Sequence, residues 1–402
     1  MKFYQLSPEQ RRKKLLAAGI KLDAIDDAVL SRLDKLSENV IGQLRLPVGL
    51  VQKAIVNQQK YVVPMATEEP SVVAAANHGM SIFAKNGGVI ADSKRNGIFG
   101  QIVLKINKHF SLETLKTTFP DLIKKANQQF NSLVKHGGGL KKIQAEVKQD
   151  LLYLKVLVDP AEAMGANKTN SILEYLAAEL ENYAGIDEKM FAILSNYPSQ
   201  LTTAKIALDP ASVGGLEVAQ RIALLSQIAH DNPYRAVTNN KGIMNGVDAV
   251  LLATGNDYRA VEAACGVLAN QDGQYRSLSK WTVADNKLCG EVTLPLAIGT
   301  VGGSISARED VQQVYRILGK VNTKTLAEII ASVGLANNLA AILAISTSGI
   351  QAGHMKLQAR NLVATLKAND EEKKQVLKLM RKAKKYSMKD AEAFLKEVRG
   401  EK

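Results

Sequence analysis

Apolar residues recur along this chain with two different spacings. Val218, Ile222, Leu225 and Ile228 follow Gly215 at intervals of three or four, which predicts an amphipathic helix that stops before Asp231-Asn232-Pro233. Leu326, Ile329, Ile330 and Val333 repeat the pattern and predict a second core helix. Ser7-Pro8-Glu9-Gln10 has the form of a capping box with proline in the first turn, so a helical arm opens the chain. Ser387 and Asp390 repeat the signature inside the charged segment that begins near Asn369, and predict a small helical appendage. Shorter apolar runs read as strands. Residues 46–50 and 61–64 carry Pro and Gly punctuation and lead into Glu69, with a helix starting at Ser71. Runs at 101–106, 152–158 and 203–208 alternate with helical stretches at 112–134 and 171–183, which predicts a second module, a small α/β layer beginning near Gly100. Gly137-Gly138-Gly139 and Met164-Gly165-Ala166-Asn167 fall at its turns, where glycine lets backbone approach a ligand. No G-x-G-x-x-G joins a strand to a helix and no P-loop occurs, which disfavours a standard Rossmann domain.

Length and charge narrow the class. With 402 residues, 46% of them hydrophobic, the chain exceeds one typical core and is expected to form at least two domains. No apolar stretch of signal-peptide length follows Arg11-Arg12-Lys13-Lys14, and the apolar run at 333–345 is broken by Asn337 and Asn338. A soluble cytoplasmic protein is expected. Two cysteines, Cys265 and Cys289, and five scattered histidines give neither a disulfide framework nor a metal motif. The net charge of +13 favours polyanionic partners. Aromatic residues are only 5% and are not interleaved with a basic stripe, so single-strand nucleic acid is poorly supported; a phosphate-bearing cofactor and substrate suit the charge as well.

Four separate segments place a proton-handling or charged side chain beside residues expected in tight turns: Glu68-Glu69-Pro70-Ser71, Asn240-Lys241-Gly242, Gly255-Asn256-Asp257 and Gly353-His354-Met355. They supply an acid, an ammonium, a carboxylate and an imidazole. Hydride addition to a thioester carbonyl needs positive charge where the oxyanion develops, and a departing thiolate needs a proton. Each residue taken alone has a plainer reading: a turn lysine, a helix-start carboxylate, a turn aspartate, a surface or core histidine.

The segments in this order resemble the hydroxymethylglutaryl-CoA (HMG-CoA) reductase family, in its soluble bacterial class. The similarity runs through Glu38-Asn39-Val40-Ile41-Gly42, Leu46-Pro47-Val48-Gly49, Pro64 to Ser71, Met164 to Asn167, Pro233-Tyr234-Arg235-Ala236, Asn240 to Gly246, Ala253 to Asp257 and Gly353-His354-Met355, nearly the whole chain. The resemblance implies reduction of HMG-CoA to mevalonate with two nicotinamide hydrides and release of CoA. By motif, Lys241 would hold the carbonyl oxygen, Glu69 would donate a proton, Asp257 would bridge the two, and His354 would protonate the leaving thiolate. Ser71, Arg235 and Asn245 would hold the HMG moiety, and Met164, Gly165, Ala166, Asn167 and Asn196 would contact the dinucleotide. No metal takes part.

The same resemblance implies an α+β, α/β multidomain architecture. Residues 1–99 and 211–352 would form a large HMG-CoA-binding domain around a central helix, 100–210 an inserted ferredoxin-like, non-Rossmann dinucleotide domain, and 353–402 a helical flap. Subunits would pair as a homodimer with the site at their interface. Glu162 stands where the family usually has Asp, Asn239 where it often has His, and Asn337 where it often has Gln. Members that use NAD are expected to carry an acid on the helix before the glycine triplet; Phe130 matches that position and residues 127–136 hold no carboxylate. That favours NADPH, with Lys135 able to assist a 2′-phosphate and NADH possible. Two alternatives stay open: an NAD-dependent member that oxidises mevalonate, and a basic nucleic-acid-binding protein, which leaves the Lys241 and Asp257 segments unexplained.

Overall fold

The computed structural model describes residues 2–303, 305–347, 359–360 and 362–400. The chain divides into two compact units, Met1–Pro47 and Val48–Lys402. In the first, α1 (Pro8–Ala17) begins as expected, with Ser7 and Gln10 closing a reciprocal capping box. α2 (Asp27–Asp34) is capped by Asp26, and the buried Arg11 guanidinium ties the two helices by donating to Asp34 Oδ1 at 2.5 Å.

The second unit holds three antiparallel sheets. A hairpin of β1 (Val48–Val56) and β2 (Gln59–Ala66) pairs Val48 with Ala66 and delivers the chain to α3 (Val72–Lys85). A four-stranded sheet has the order β3-β8-β10-β9, built from β3 (Ile90–Ser93), β8 (Leu201–Leu208), β9 (Ser279–Ala284) and β10 (Lys287–Pro295). The third sheet lies between β3 and β8 in sequence, in the order β5-β6-β4-β7, from β4 (Ile98–Ile106), β5 (Gly139–Lys148), β6 (Leu151–Asp159) and β7 (Ile186–Ser195). Between β4 and β5 run α4 (Leu112–Thr117), α5 (Phe119–Gln129) and α6 (Asn131–Lys135), and α7 (Ala166–Leu180) joins β6 to β7. Alternate residues Leu152, Leu154, Val156 and Val158 of β6 are buried and share a core with Leu122 and Ala126 of α5 and Ile172, Leu173 and Leu176 of α7.

A larger core forms around α12 (Thr323–Ser346), which packs on α3, on α8 (Leu216–Asp231), on α9 (Pro233–Ala253) and on β3, β8 and β10. This helix is long and apolar enough to cross a membrane, but 83% of its apolar window is buried inside the protein, so its hydrophobicity is that of a core helix. Small residues let its neighbours close in: a Cβ at Gly79 of α3 would meet the Ala336 carbonyl oxygen at 2.2 Å. Asn338 is paired in this core, whereas the buried Asn337 Oδ1 beside it accepts no hydrogen bond among the described residues. Asn338 Oδ1 accepts from the Trp281 ring N–H at 2.7 Å and from Ser279 Oγ at 2.9 Å, while its amide donates to Asn239 at 2.9 Å. The unit is completed by α10 (Tyr258–Ala269), α11 (Glu309–Leu318) and a helical pair, α13 (Asp370–Ala383) and α14 (Met388–Arg399), with its own small core around Val376 and Met380.

Three local expectations change. The helix expected at 112–134 is three helices, because Pro120 lacks the N–H that α4 would need to continue and so opens α5 instead. The strand at 203–208 belongs to the β3-β8-β10-β9 sheet, not to the layer that begins near Gly100. Asn240-Lys241-Gly242 is not a turn; it lies within α9. Gly246 is there for helix packing, since a Cβ would come within 3.0 Å of the Val333 carbonyl oxygen of α12.

Candidate active site

Lys241 and Glu69 meet although 172 residues separate them: Lys241 Nζ donates to Glu69 Oε2 at 2.6 Å. Each arrives by ordinary local structure. Glu69 sits in the turn after β2, with its N–H donating to Thr67 Oγ1 at 3.2 Å. Two residues on, Ser71 takes a left-handed backbone (φ 76°) to start α3, and its hydroxyl donates to the Pro70 carbonyl. A serine held in that conformation beside a candidate acid is a local cost that surrounding structure must sustain. Lys241 projects from the middle of α9, and Asn245 lies one turn further along the same face.

Arg235 stands in the first turn of α9. It is half-buried, burial lowers its affinity for a proton, and among the described residues its guanidinium has no carboxylate partner. Such a group is suited to an incoming carboxylate, which it can grip with two parallel hydrogen bonds. Asp257 differs from expectation. Its Oδ1 accepts the N–H groups of Arg259 and Ala260, each at 3.1 Å, and faces Arg259 Nε at 3.5 Å, so it caps α10. Among the described residues no ion pair joins it to Lys241 or Glu69, so the expected bridge is replaced by a direct lysine–glutamate contact. The helix start claims the aspartate because an N-cap needs an acceptor there. His354 lies outside the described residues.

The residues expected at the dinucleotide lie at the end of β6. Gly165 (φ 97°) precedes α7 with no side chain capping that helix, and a Cβ there would strike Pro160 at 2.3 Å. Met164 to Asn167 thus form a tight entry to an open helix N-terminus, a place where backbone N–H groups favour an anion. Asn196 is exposed in the link after β7. Phe130 is not a free contact position: it packs edge-on against Tyr175 at 6.0 Å, with Lys168 Nζ over its ring at 6.0 Å.

Two features escaped the sequence reading. Ile298-Gly299-Thr300-Val301-Gly302-Gly303 lines up beside the 162–167 loop: Thr300 N–H donates to the Glu162 carbonyl at 2.9 Å, and Ala163 bridges to Val301. Gly299 is required there, since a Cβ would lie 2.4 Å from the Met164 nitrogen. Its own N–H donates to Asn256 Oδ1 at 2.8 Å, beside Asp257. The dense glycines were the available signal. The second is a carboxyl pair, Asp248 of α9 and Glu262 of α10. Burial, then the hydrogen bond and charge of Glu262, push Asp248 up to about 8.

Comparison with known proteins matches this chain, over residues 7–359, to the family model described as hydroxymethylglutaryl-coenzyme A reductase. A 3-hydroxy-3-methylglutaryl-coenzyme A reductase of Archaeoglobus fulgidus is 36% identical over 99% of this chain and 94% of its own length. A probable enzyme of the same name from Borreliella burgdorferi is 36% identical over 98% and 94%. Among solved structures, a class II 3-hydroxy-3-methylglutaryl-CoA reductase from Streptococcus pneumoniae, bound to NADPH in open conformations, superposes with a TM-score of 0.76 at 39% identity, covering 98% of this chain and 96% of that one. Fold and site together define an NAD(P)H-dependent oxidoreductase of mixed α/β, multidomain build that acts on a CoA thioester. The chain belongs to the HMG-CoA reductase family, whose reaction lies in the mevalonate pathway.

Proposed function

We propose that this chain works in the reductive direction, converting HMG-CoA to mevalonate and CoA at the expense of two NADPH. The 2.6 Å contact between Lys241 and Glu69 supports the chemistry, and the lack of a carboxylate in residues 127–136 supports NADPH and with it the reductive direction. The Lys241 ammonium can hold the oxyanion that hydride addition forms on the thioester, and later on the aldehyde, while Glu69, after taking a proton from solvent, passes it on to turn the alkoxide into a hydroxyl. Arg235, Ser71 and Asn245 hold the HMG end. Asp257 orients Lys241 once its carboxylate leaves the cap. The thiolate proton comes from His354, a role that rests on the family motif alone.

NADPH, when bound, supplies the hydride. The residues present fit it: the uncapped start of α7 and the Gly165 turn accept its phosphates, and the exposed Lys168 and Lys135 suit a 2′-phosphate. The module between β3 and β8, built on the β5-β6-β4-β7 sheet, forms the dinucleotide domain. Its βαββαβ chain order and β5-β6-β4-β7 strand order support a ferredoxin-like reading. Residues 48–97 and 201–352 form the substrate domain, and 353–402 the flap. The enzyme is a soluble, cytoplasmic homodimer: Tyr234 (90% exposed) and Val237 (55%) lie on the helix of Lys241 and suit a partner that closes the site.

The test is consumption of NADPH and NADH, side by side, with HMG-CoA, together with release of free thiol. Two NADPH per thiol is the expected result. Strong preference for NADH, with faster oxidation of mevalonate in the presence of CoA, would replace this reading by the oxidative one. No thioester reduction with either cofactor would remove both.

A further inference from the structure

Glu162 begins the Glu-Ala-Met-Gly-Ala-Asn segment, and its carboxylate reaches the start of the core helix. Oε2 accepts the Thr323 N–H at 2.6 Å and the Thr323 hydroxyl at 2.7 Å, and faces Thr300 Oγ1 at 3.3 Å. The Glu162 carbonyl accepts again from the Thr323 hydroxyl at 2.9 Å and from the Thr300 N–H at 2.9 Å. Thr323 is the first residue of α12, whose N-terminal N–H groups carry the positive end of the helix dipole. The partly buried Arg95 adds positive charge nearby, and its guanidinium is fixed by the carbonyls of Leu296 (2.9 Å) and Ile298 (3.0 Å). These contacts hold Glu162 as the anion, below the usual glutamate range.

The residue therefore clamps both ends of a short relay. On one side it fixes the loop that runs through Ala163 and Met164 to the Gly165 turn and the start of α7. On the other it fixes residues 299–301, whose Gly299 N–H is bound by Asn256, next to Asp257. We propose that Glu162 is a positioning residue for the dinucleotide: it anchors the Met164–Asn167 loop to the N-terminus of α12, so that the loop is preformed before cofactor arrives. A carboxylate one methylene shorter cannot make the Thr323 contacts from the same backbone position, so the longer side chain is matched to this particular loop–helix separation.

This rests on the reading of 164–167 as cofactor contacts, and the experiment separates the two. NADPH dissociation constants and steady-state kinetics would be measured for the parent, Glu162→Gln, Glu162→Asp, Thr323→Val and the Glu162→Gln/Thr323→Val double variant. Removing the charge that strengthens the hydrogen bonds from Thr323 and Thr300 predicts about ten-fold weaker NADPH binding for Glu162→Gln. The KM for HMG-CoA and kcat at saturating NADPH should stay within about two-fold, because a preformed loop is lost while the reacting groups remain. Glu162→Asp, which keeps the charge but falls short of Thr323, should weaken binding as well, and the double variant should lose less than the product of the single losses, since both remove one interaction. Unchanged NADPH affinity in Glu162→Gln would overturn the proposal, as would equal losses in kcat and both KM values, or multiplicative losses in the double variant. If alanine substitutions at Met164 and Asn167 leave NADPH binding intact, the cofactor reading itself fails, whatever Glu162 does.

Discussion

At the scale of single residues, the site joins two charged groups that would be unremarkable apart. Lys241 and Glu69 are both partly exposed, so their ion pair contributes little to stability and is available for chemistry. Lys241→Ala should keep the fold and cost on the order of 10² or more in turnover with HMG-CoA; a variant within a few-fold of the parent would take the lysine out of the reaction. Asp257 offers a cleaner separation, because asparagine caps a helix about as well as aspartate. Asp257→Asn should therefore keep the melting temperature while lowering turnover strongly. A loss of stability with turnover intact would show that the aspartate serves only α10. The residue types at this site were legible in the sequence, since an acid, a lysine and an aspartate were picked out by motif. Their contacts were not. Helix capping and ion pairing compete for the same carboxylate, and only the position of Arg259 and the first turn of α10 decides which one holds it.

Among elements, the contact of α9 with α10 carries a protonation that no local pattern signals. Asp248 holds its proton up to about 8, because it is largely buried and shares a hydrogen bond with Glu262. An acid with a folded value above its unfolded value, near 3.9, binds more protons in the folded state throughout that interval. Its contribution is complete below about pH 4, and is lost progressively as pH rises through about 8. Asp248→Asn, which can still donate to Glu262, should raise the melting temperature at pH 8 relative to the parent and leave it nearly unchanged at pH 4. Equal effects at both values would mean that the asparagine alters packing and not a titration. Glycine near Lys241 suggested a turn, yet α9 continues because Gly246 is pressed against α12, and close packing outweighs a weak local preference.

For the whole molecule, the order of strands explains how one chain builds two cores. The chain leaves the β3-β8-β10-β9 sheet after β3, completes a second sheet and its helices, and returns through β8, so residues between them form a module with its own interior. The Lys241–Glu69 pair is open to solvent, and the exposed Tyr234 lies two turns away on the same face of α9. Tyr234→Glu should shift sedimentation from dimer to monomer and reduce turnover in parallel. A parent that sediments as a monomer with full turnover would remove the interfacial site.

The sequence by itself determined the parts that depend on neighbours in the chain. Periodicity placed the helix before Asp231 and the run through Leu326 to Val333, a capping box placed α1, and short apolar runs placed the β1–β2 hairpin, because these signals are written within a few residues of one another. It also determined the family, since widely spaced motifs in a fixed order are specific even when each one is weak. Tertiary structure alone decided that β8 leaves the inserted layer for the other sheet, that Glu162 is spent on the start of α12, and that Asp248 keeps a proton. Each of these depends on groups more than ten residues apart in the chain competing for the same space or the same hydrogen-bond partner, and no local pattern records who wins.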